Sequence, residues 1–261
     1  MTPTRSCGWT RRARRSPTRG SSEMAKRALV IGASGLTGGA LMRTLEAEGW
    51  SVIGTAMSRP REGLRPLDLG DGAAVSALIH ELAPNIVFLA AALTHVDGCE
   101  EDPARARRIN IDGPRTCATV CKAIGAVLVF YSSEYVFDGE HGPYGETDAP
   151  RPISVYGQTK LEAERAIADI GVESLIIRTT GVYGWDRTSK NFAMQVWQQL
   201  SAGERMRAPS DQVSTPTLVD SLAEISVRLV ELGMGGVVHV AGRRRFCPPA
   251  RLDICPRPRT G

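Results

Sequence analysis

Over most of the chain, continuous apolar runs alternate with stretches in which apolar residues have helical spacing. Continuous apolar runs predict buried β-strands at residues 28–31, 52–56, 67–69, 85–92, 126–132 and 174–178. Stretches with helical spacing lie between them, at residues 36–49, 73–82, 104–124 and 156–170. Apolar strands separated by helices are typical of a parallel sheet covered on both faces. The pattern therefore predicts an α/β fold with a doubly wound parallel sheet over residues 24–182.

The pattern after residue 182 is less regular. Residues 191–202 and 218–232 have helical spacing, and residues 235–242 form an apolar run that ends in a glycine turn. We expect residues 183–242 to form a small C-terminal lobe that follows the sheet and faces a substrate.

Both ends of the chain differ from its body in charge. Residues 1–23 contain six arginines and one glutamate, and residues 243–261 contain six arginines and one aspartate, so each tail carries a net charge of +5. Because the whole chain carries +4, residues 24–242 carry −6, and the basic balance does not indicate that the body binds nucleic acid. We expect residues 1–23 to be a disordered leader that precedes the native start at Met24, with a transit peptide or a polybasic arm as alternatives. We expect residues 243–261 to be an irregular Arg/Pro tail, such as a frameshift would produce.

Composition excludes several classes of protein. Hydrophobic residues make up 42% of the chain and charged residues 23%, and no apolar run approaches the roughly 20 residues of a membrane helix. Six cysteines without CxxC spacing and four scattered histidines give no pattern of metal ligands. We expect a cytoplasmic protein with reduced thiols that needs no metal, membrane or nucleic acid, and we leave a homodimer open.

Three glycines follow the first predicted strand and open the first predicted helix. Gly32, Gly35 and Gly38 have the spacing GxxGxxG. The first allows a tight turn, the second lets a phosphate approach the backbone, and the third lets the helix pack on the strand. The helix N-terminus adds N–H groups and positive potential. Between a strand and a helix this motif indicates a dinucleotide site, although a packing turn can have the same spacing.

The end of the second predicted strand bears on the choice of cofactor. An acid there binds the ribose hydroxyls of NAD, whereas a basic residue binds the additional phosphate of NADP. Here Ser58, Arg59 and Arg61 follow the strand, and the first acid is Glu62. The sequence favours NADP(H). NAD(H) is the alternative if the two arginines are only solvated loop charges.

A tyrosine and a lysine four residues apart indicate proton-transfer chemistry. Tyr156 and Lys160 share one face of a predicted helix. A nearby ammonium group favours the phenolate form and so lowers the pKa of a tyrosine, which can then exchange a proton near neutral pH. The preceding buried strand ends in Ser132 and Ser133, which brings a hydroxyl group to the same edge of the sheet.

These motifs resemble the extended short-chain dehydrogenase/reductases and, within them, the dTDP-4-dehydrorhamnose reductase-like (RmlD-type) group. The resemblance covers residues 26–242, and its most specific runs are AAALTHVD at 90–97, SSEYVFDG at 132–139, YGETD at 144–148, VYGQTKLE at 155–162 and RTTGVY at 178–183. It implies a Rossmann fold and an NADPH-dependent reduction at C4 of a 4-keto-6-deoxy sugar nucleotide.

The resemblance also implies roles for individual residues. Ser133 would polarise the substrate carbonyl, Tyr156 would be the general acid, and Lys160 would bind the nicotinamide ribose and tune Tyr156. Glu134 stands where the group has Asp and completes the expected catalytic set. Asp68 would contact the adenine amine, and residues 90–92 would line the cleft. The expected cofactor-binding residues are Gly32, Ser34, Gly35, Leu36, Gly38, Ser58, Arg59, Asp68, Leu69, Ala90, Ala91, Ala92, Tyr156 and Lys160.

Two departures from the group keep other functions open. Leu93 replaces a histidine that is common in the rhamnose reductases, and the tail does not resemble the substrate-lobe structure expected after Gly242, so we expect an incomplete lobe. One alternative is an NAD-dependent sugar-nucleotide epimerase or dehydratase, although the missing acid after the second strand counts against it. Another is a non-catalytic regulatory subunit like that of methionine adenosyltransferase, which shares the run at 132–139. A third is a chain that binds cofactor but lacks a working substrate lobe.

Overall fold

The computed structural model describes residues 26–59, 61–186, 188–189, 191–207, 212–243 and 251–252. The predictions for the leader and for Met24, and most of those for the tail, lie outside these residues. Among the described residues, no helix is both long and apolar enough to cross a membrane.

Seven strands of the described residues form one parallel sheet. They are β1 (Arg27–Ile31), β2 (Ser51–Ala56), β3 (Leu64–Pro66), β4 (Ile86–Leu89), β5 (Val127–Ser133), β6 (Ser174–Thr179) and β10 (Gly236–Val240). Four two-residue strands lie outside it: β7 (Val182–Tyr183), β8 (Met206–Arg207), β9 (Thr217–Leu218) and β11 (Arg251–Leu252). The sheet order is β10-β6-β5-β4-β1-β2-β3, so the chain winds outward in both directions from β1. The predicted doubly wound fold is confirmed.

Helices cover both faces of the sheet. They are α1 (Leu36–Ala47), α2 (Gly72–Leu82), α3 (Val96–Glu101), α4 (Pro103–Arg107), α5 (Gly113–Ile124), α6 (Val155–Ile170), α7 (Phe192–Ser201) and α8 (Val219–Glu231). Neighbouring strand residues point to opposite faces. Leu29 of β1 therefore packs in the core with Ile167 of α6, whereas Val30 packs with Leu222 of α8. The two apolar layers explain why the strands are continuously apolar in sequence.

Two of the predicted strands have different bounds in the structure. The third strand was placed at residues 67–69, but β3 ends at Pro66. Leu67 and Leu69 are buried beside the sheet, which produces the strand-like pattern without strand pairing. The strand predicted at 85–92 ends at Leu89, because the N–H groups of the next two residues both donate to the Ile31 carbonyl, at 3.0 and 2.9 Å.

The single helix predicted at 104–124 is interrupted. Asp102 caps α4 by accepting a hydrogen bond from the Arg105 N–H (2.9 Å), a π-helical turn (Arg108–Asp112) follows, and α5 then begins with Pro114 in its first turn. The sequence pattern also missed α3, whose six residues are too few to show a period. At its start, Nδ1 of His95 accepts a hydrogen bond from the Gly98 N–H (2.8 Å), so this histidine is a helix cap.

The end of the predicted C-terminal lobe belongs to the sheet. β10 pairs in parallel with β6, and α8 packs against α1, where Arg43 and Asp220 form a salt bridge of 3.0 Å. The prediction of a lobe after the sheet is therefore wrong for α8 and β10. The tail is also not wholly irregular, since β11 pairs antiparallel with β8.

One edge strand of the sheet is short, and the other edge strand is partly covered by a side chain. β3 has three residues and ends in a proline. At the opposite edge, Oε1 of Glu146 accepts a hydrogen bond from the outward-facing backbone N–H of His239 in β10 (3.0 Å).

Candidate functional site

The switch point of the sheet lies where β1 separates β4 from β2. In doubly wound sheets, ligands bind at this point, beyond the carboxyl ends of the strands. Two of the predicted segments meet here. The glycine turn follows β1, and Ala90–Ala92 follow β4, with Ile31 and Leu89 paired in the last register position of the two strands.

The glycine turn depends on close approaches of the backbone. Gly32 has φ +92°, and a Cβ atom there would lie 2.7 Å from the Ala91 nitrogen. A Cβ atom at Gly38 would lie 2.2 Å from the Gly32 carbonyl oxygen. Thr55 of β2, which is 1% exposed, fixes the turn, because its hydroxyl and carbonyl oxygens accept the N–H groups of Gly32 (3.2 Å) and Ala33 (2.8 Å).

The N-terminus of α1 fits a pyrophosphate. Its N-cap is Gly35, which is exposed, and no side chain caps the first turn of the helix. That turn also contains no acidic residue. The flanking Ser34 is buried and Leu36 is half-buried. An anion can therefore approach the N–H groups and the positive end of the helix dipole over the exposed backbone of Gly35.

The residues predicted for the adenosine end of the cofactor follow β2 and β3. Ser58 and Arg59 are exposed, and Nη1 of Arg59 donates to the Thr188 hydroxyl (3.4 Å). Asp68 is exposed and accepts a hydrogen bond from the Gly70 N–H (2.8 Å). The side chain of Leu69 is buried in the core, so its predicted cofactor contact stays a prediction for its backbone.

A carboxylate lies near the arginines that follow β2. Burial acts to raise the pKa of Asp186, but hydrogen bonds from Thr188 and the charges of Arg61 and Arg59 outweigh it, and the pKa is lowered. The two arginines therefore have a negative neighbour within the chain, which a bound phosphate would have to outcompete.

The predicted proton-transfer residues meet at the carboxyl end of β5. Ser133 is the last residue of that strand, and its hydroxyl donates to Oε2 of Glu134 (3.2 Å) and accepts from the Tyr135 N–H (3.3 Å). A 3-10 turn (Glu134–Val136) follows, and the Tyr135 ring contacts the Tyr156 ring edge-on, with centroids 5.6 Å apart. The turn therefore lies between Ser133 and Tyr156 and contacts both of these predicted residues.

The start of α6 is shaped to receive this turn. Ser154 caps the helix by accepting a hydrogen bond from the Gly157 N–H (3.1 Å). Gly157 faces the 3-10 turn, and a Cβ atom there would lie 2.0 Å from the Tyr135 carbonyl oxygen. The glycine after Tyr156 therefore sets how closely α6 approaches the 3-10 turn that follows Ser133.

Burial governs the electrostatics of the site. Burial, followed by the charge of Glu134, raises the pKa of Tyr156 well above its usual value, and the hydrogen bond with Ser133 offsets only part of this. The sequence-based expectation of a lowered tyrosine pKa is not met. Burial also raises the pKa of Glu134 to about 7, against hydrogen bonds from its own backbone, Ser133 and Gly181.

Lys160 lies one helical turn after Tyr156 and is buried. Its Nζ atom lies 4.0 Å from the centroid of the Phe130 ring in β5. Burial lowers its pKa to about 7, and the charge of Glu164 opposes that change. Burial therefore acts against the ammonium form of Lys160.

Sequence reasoning missed two residues that hold the site together. Asn110, in the π-helical turn, is 1% exposed and exchanges hydrogen bonds with the Leu93 backbone (2.9 and 3.0 Å), and its Nδ2 donates to the Thr159 hydroxyl (3.2 Å). It thus joins the segment after β4 to α6. Cys99 is fully buried and packs against Tyr156. A polar residue within the apolar run 109–111 was the available signal for Asn110.

Comparisons with known proteins assign the chain to a family. A family model described as the RmlD substrate binding domain matches residues 26–247. The chain is 36% identical over 228 residues to the probable low-salt glycan biosynthesis reductase Agl14 of Haloferax volcanii, covering 85% of this chain and 76% of that protein. It is 32% identical over 228 residues to methionine adenosyltransferase 2 subunit beta of Xenopus tropicalis, covering 85% of this chain and 68% of that protein.

A solved structure has the same fold. The dTDP-4-dehydrorhamnose reductase of Bacillus anthracis in complex with NADP aligns with a TM-score of 0.78 and 28% identity, covering 86% of this chain and 77% of that one.

The fold and these similarities are those of an NAD(P)-dependent oxidoreductase of the extended short-chain dehydrogenase/reductase type. Because the family model spans most of the described body, the chain belongs to the RmlD substrate-binding domain family, whose members include dTDP-4-dehydrorhamnose reductases.

Proposed function

We propose that this protein is an NADPH-dependent reductase of a 4-keto-6-deoxy sugar nucleotide, with Tyr156 as the proton donor. The main support is the placement of Ser133 at the carboxyl end of β5 and of Tyr156 at the start of α6, joined by the 3-10 turn whose Tyr135 ring contacts the Tyr156 ring. The similarity to dTDP-4-dehydrorhamnose reductases supports the substrate class.

The proposed division of labour follows from the positions of the side chains. The nicotinamide cofactor, when bound, supplies the hydride. Ser133 donates a hydrogen bond to the C4 carbonyl oxygen of the substrate, and the Tyr156 hydroxyl gives that oxygen a proton. Ser133 now donates to Glu134, whose pKa of about 7 means that the carboxyl group changes charge near neutral pH. Protonation of Glu134 weakens its hold on the serine hydroxyl and frees that donor for the substrate.

The cofactor would be held by groups that the fold already presents. The N–H groups at the N-terminus of α1 would donate to the pyrophosphate, and Lys160 would donate to the nicotinamide ribose. Asp68 would contact the adenine amine, and Arg59 would bind the additional phosphate of NADP(H). NAD(H) is the second choice, because no acidic side chain follows β2 before Glu62.

A second candidate function is a regulatory subunit. The similarity to methionine adenosyltransferase 2 subunit beta supports it. In this case the site would bind NADP(H) without turnover.

One experiment separates the two functions. The purified chain is given NADPH and dTDP-4-dehydro-6-deoxy-L-mannose, and NADPH oxidation is followed by absorbance while NADPH binding is measured by fluorescence. Substrate-dependent oxidation supports the reductase. Tight NADPH binding without turnover contradicts the reductase and favours the regulatory role.

Arg59 provides a prediction about cofactor choice. We expect NADPH to bind at least about tenfold more tightly than NADH, because a charged hydrogen bond contributes about 1.5–3 kcal/mol. Replacing Arg59 by alanine should remove most of this preference and leave the dissociation constant for NADH nearly unchanged. Isothermal titration of both cofactors measures it, and equal affinities in the unmodified protein would rule out the assignment.

A further inference from the structure

The π-helical turn (Arg108–Asp112) lies between two segments that the proposed cofactor site uses. On one side, its Asn110 side chain exchanges hydrogen bonds with the backbone of Leu93, in the segment that follows β4. On the other side, the chain packs on the segment that follows β3, since a Cβ atom at Gly113 would lie 2.8 Å from the Leu69 carbonyl oxygen. Turns of this kind often occur at functional sites. The turn is therefore fixed against both segments at the carboxyl edge of the sheet.

Arg108 opens this turn and extends toward Asp68. Gly70 shows how close the two side chains are, because a Cβ atom there would lie 3.0 Å from Nε of Arg108 and 3.2 Å from Oδ1 of Asp68. Both side chains are exposed, and neither forms a salt bridge within the part of the chain that the structure describes. The glycine thus leaves open a space that a guanidinium group and a carboxylate both border.

The order of the strands decides which part of the cofactor reaches this space. In the order β5-β4-β1-β2-β3, Ser133 ends β5 on one side of the switch point, and Asp68 lies two residues after β3 on the other side. The pyrophosphate belongs between them, at the N-terminus of α1. Because the nicotinamide end reacts beside Ser133 in the proposed function, the adenosine end extends toward β3. Asp68 and Arg108 are therefore placed to contact the base.

The chemistry of adenine suits such a pair of side chains. One edge of the base carries an amine that donates and, beside it, a ring nitrogen that accepts. A carboxylate can accept from the amine, and a guanidinium group can donate to the ring nitrogen or stack on the face of the ring. Because Asp68 and Arg108 both lie close to one point above Gly70, a single base can contact both.

We propose that Arg108 is a further cofactor-binding residue, which contacts the adenine base while Asp68 accepts a hydrogen bond from the adenine amine. The pair recognises the base whether or not the neighbouring ribose carries a phosphate. The inference rests on the proposed function, because it takes the nicotinamide cofactor and its direction across the sheet from there. It requires cofactor binding without turnover, so it can fail while the reductase function holds, and it can hold where that function fails.

The test compares the dissociation constants of NADPH and NADH, measured by fluorescence, for the full chain and for Arg108→Ala. Both constants should rise by the same factor, about tenfold, because both cofactors carry adenine and each loses a contact with a charged donor. A rise for NADPH alone would assign Arg108 to the additional phosphate and overturn the proposal. Unchanged constants would also overturn it. An unmodified chain that bound neither cofactor would overturn both this inference and the proposed function.

The matched control is Arg105→Ala, one helical turn earlier, in α4. Arg105 is also exposed, so the control removes the same charge from the same surface. Both dissociation constants should stay nearly unchanged. An equal rise in the control would mean that only the net charge matters, and the proposal would fall. Thermal melting without cofactor checks folding, and both variants should melt with the unmodified chain because both side chains are exposed.

A second measurement tests contact with the base without any substitution. Reduced nicotinamide hypoxanthine dinucleotide has a carbonyl oxygen where NADH has the adenine amine. It should bind the unmodified chain about tenfold more weakly than NADH, because this oxygen and the Asp68 carboxylate are both acceptors. Equal affinities would show that the base does not reach Asp68, and the proposed adenine contact of Arg108 would be wrong.

Discussion

Replacing Tyr156 by phenylalanine is expected to lower the rate of sugar-nucleotide reduction by about 10²–10⁴-fold, the usual contribution of general acid–base catalysis. The variant loses the hydroxyl that would supply the proton and keeps the ring, which packs edge-on against Tyr135. Steady-state kinetics measure the loss in kcat. NADPH affinity should hardly change, since the ring makes no charged contact with phosphates.

Tyr131→Phe is the matched control for this variant. Tyr131 and Tyr156 are equally buried, at 8% exposure, but Tyr131 packs in the core on the α8 side of the sheet. Its loss of a hydroxyl should therefore leave kcat almost unchanged. If Tyr156→Phe kept full activity, another group would have to be the proton donor.

Replacing Gly157 by alanine is expected to damage both stability and activity. The added Cβ atom would lie 2.0 Å from the Tyr135 carbonyl oxygen, so the 3-10 turn and α6 must move apart. Overpacking of this kind costs about 1–3 kcal/mol, or roughly 2–12 °C in melting temperature for a domain of this size. Because the turn begins directly after Ser133, activity should also fall by about 10²-fold, as expected for a misplacement of about 1 Å.

Gly39 in the first turn of α1 is the control for that substitution. A Cβ atom there meets the Ala33 carbonyl oxygen at 3.5 Å, an ordinary contact. Gly39→Ala should therefore keep or raise the melting temperature, because alanine favours a helix by about 0.5–1 kcal/mol over glycine. Equal melting temperatures for Gly157→Ala and the unmodified chain would show that the turn yields without cost.

The sequence predicts the sheet well because both its faces are buried. Continuous apolar runs leave little ambiguity for strands such as β1 and β5, and the glycine spacing places the first helix. The predictions fail where burial occurs without strand pairing, as at Leu67 and Leu69. They fail again at β10 and α8, because local pattern does not reveal which distant strand a segment will join.

The candidate site also contains features that the sequence predicts and features that it does not. Spacing alone places Tyr156 and Lys160 on one face of a helix, and the end of a strand brings Ser133 near them. Asn110 could not be assigned, because its partner Leu93 lies 17 residues away. The pKa of Tyr156 was also out of reach, since it depends on burial and on the carboxylate of Glu134 rather than on the lysine alone.

The covered edges of the sheet limit how two copies of this chain can meet. Exposed strand edges readily pair with one another, and this leads to continuous sheets and to aggregation. Here the Glu146 carboxylate accepts a hydrogen bond from the outward-facing N–H of His239 in β10. At the opposite edge, β3 is short and ends in a proline. Joining two sheets through their β10 edges would first require the loop that carries Glu146 to detach. Any homodimer is therefore expected to form through helical surfaces, and the sheet ends at the boundary of each molecule.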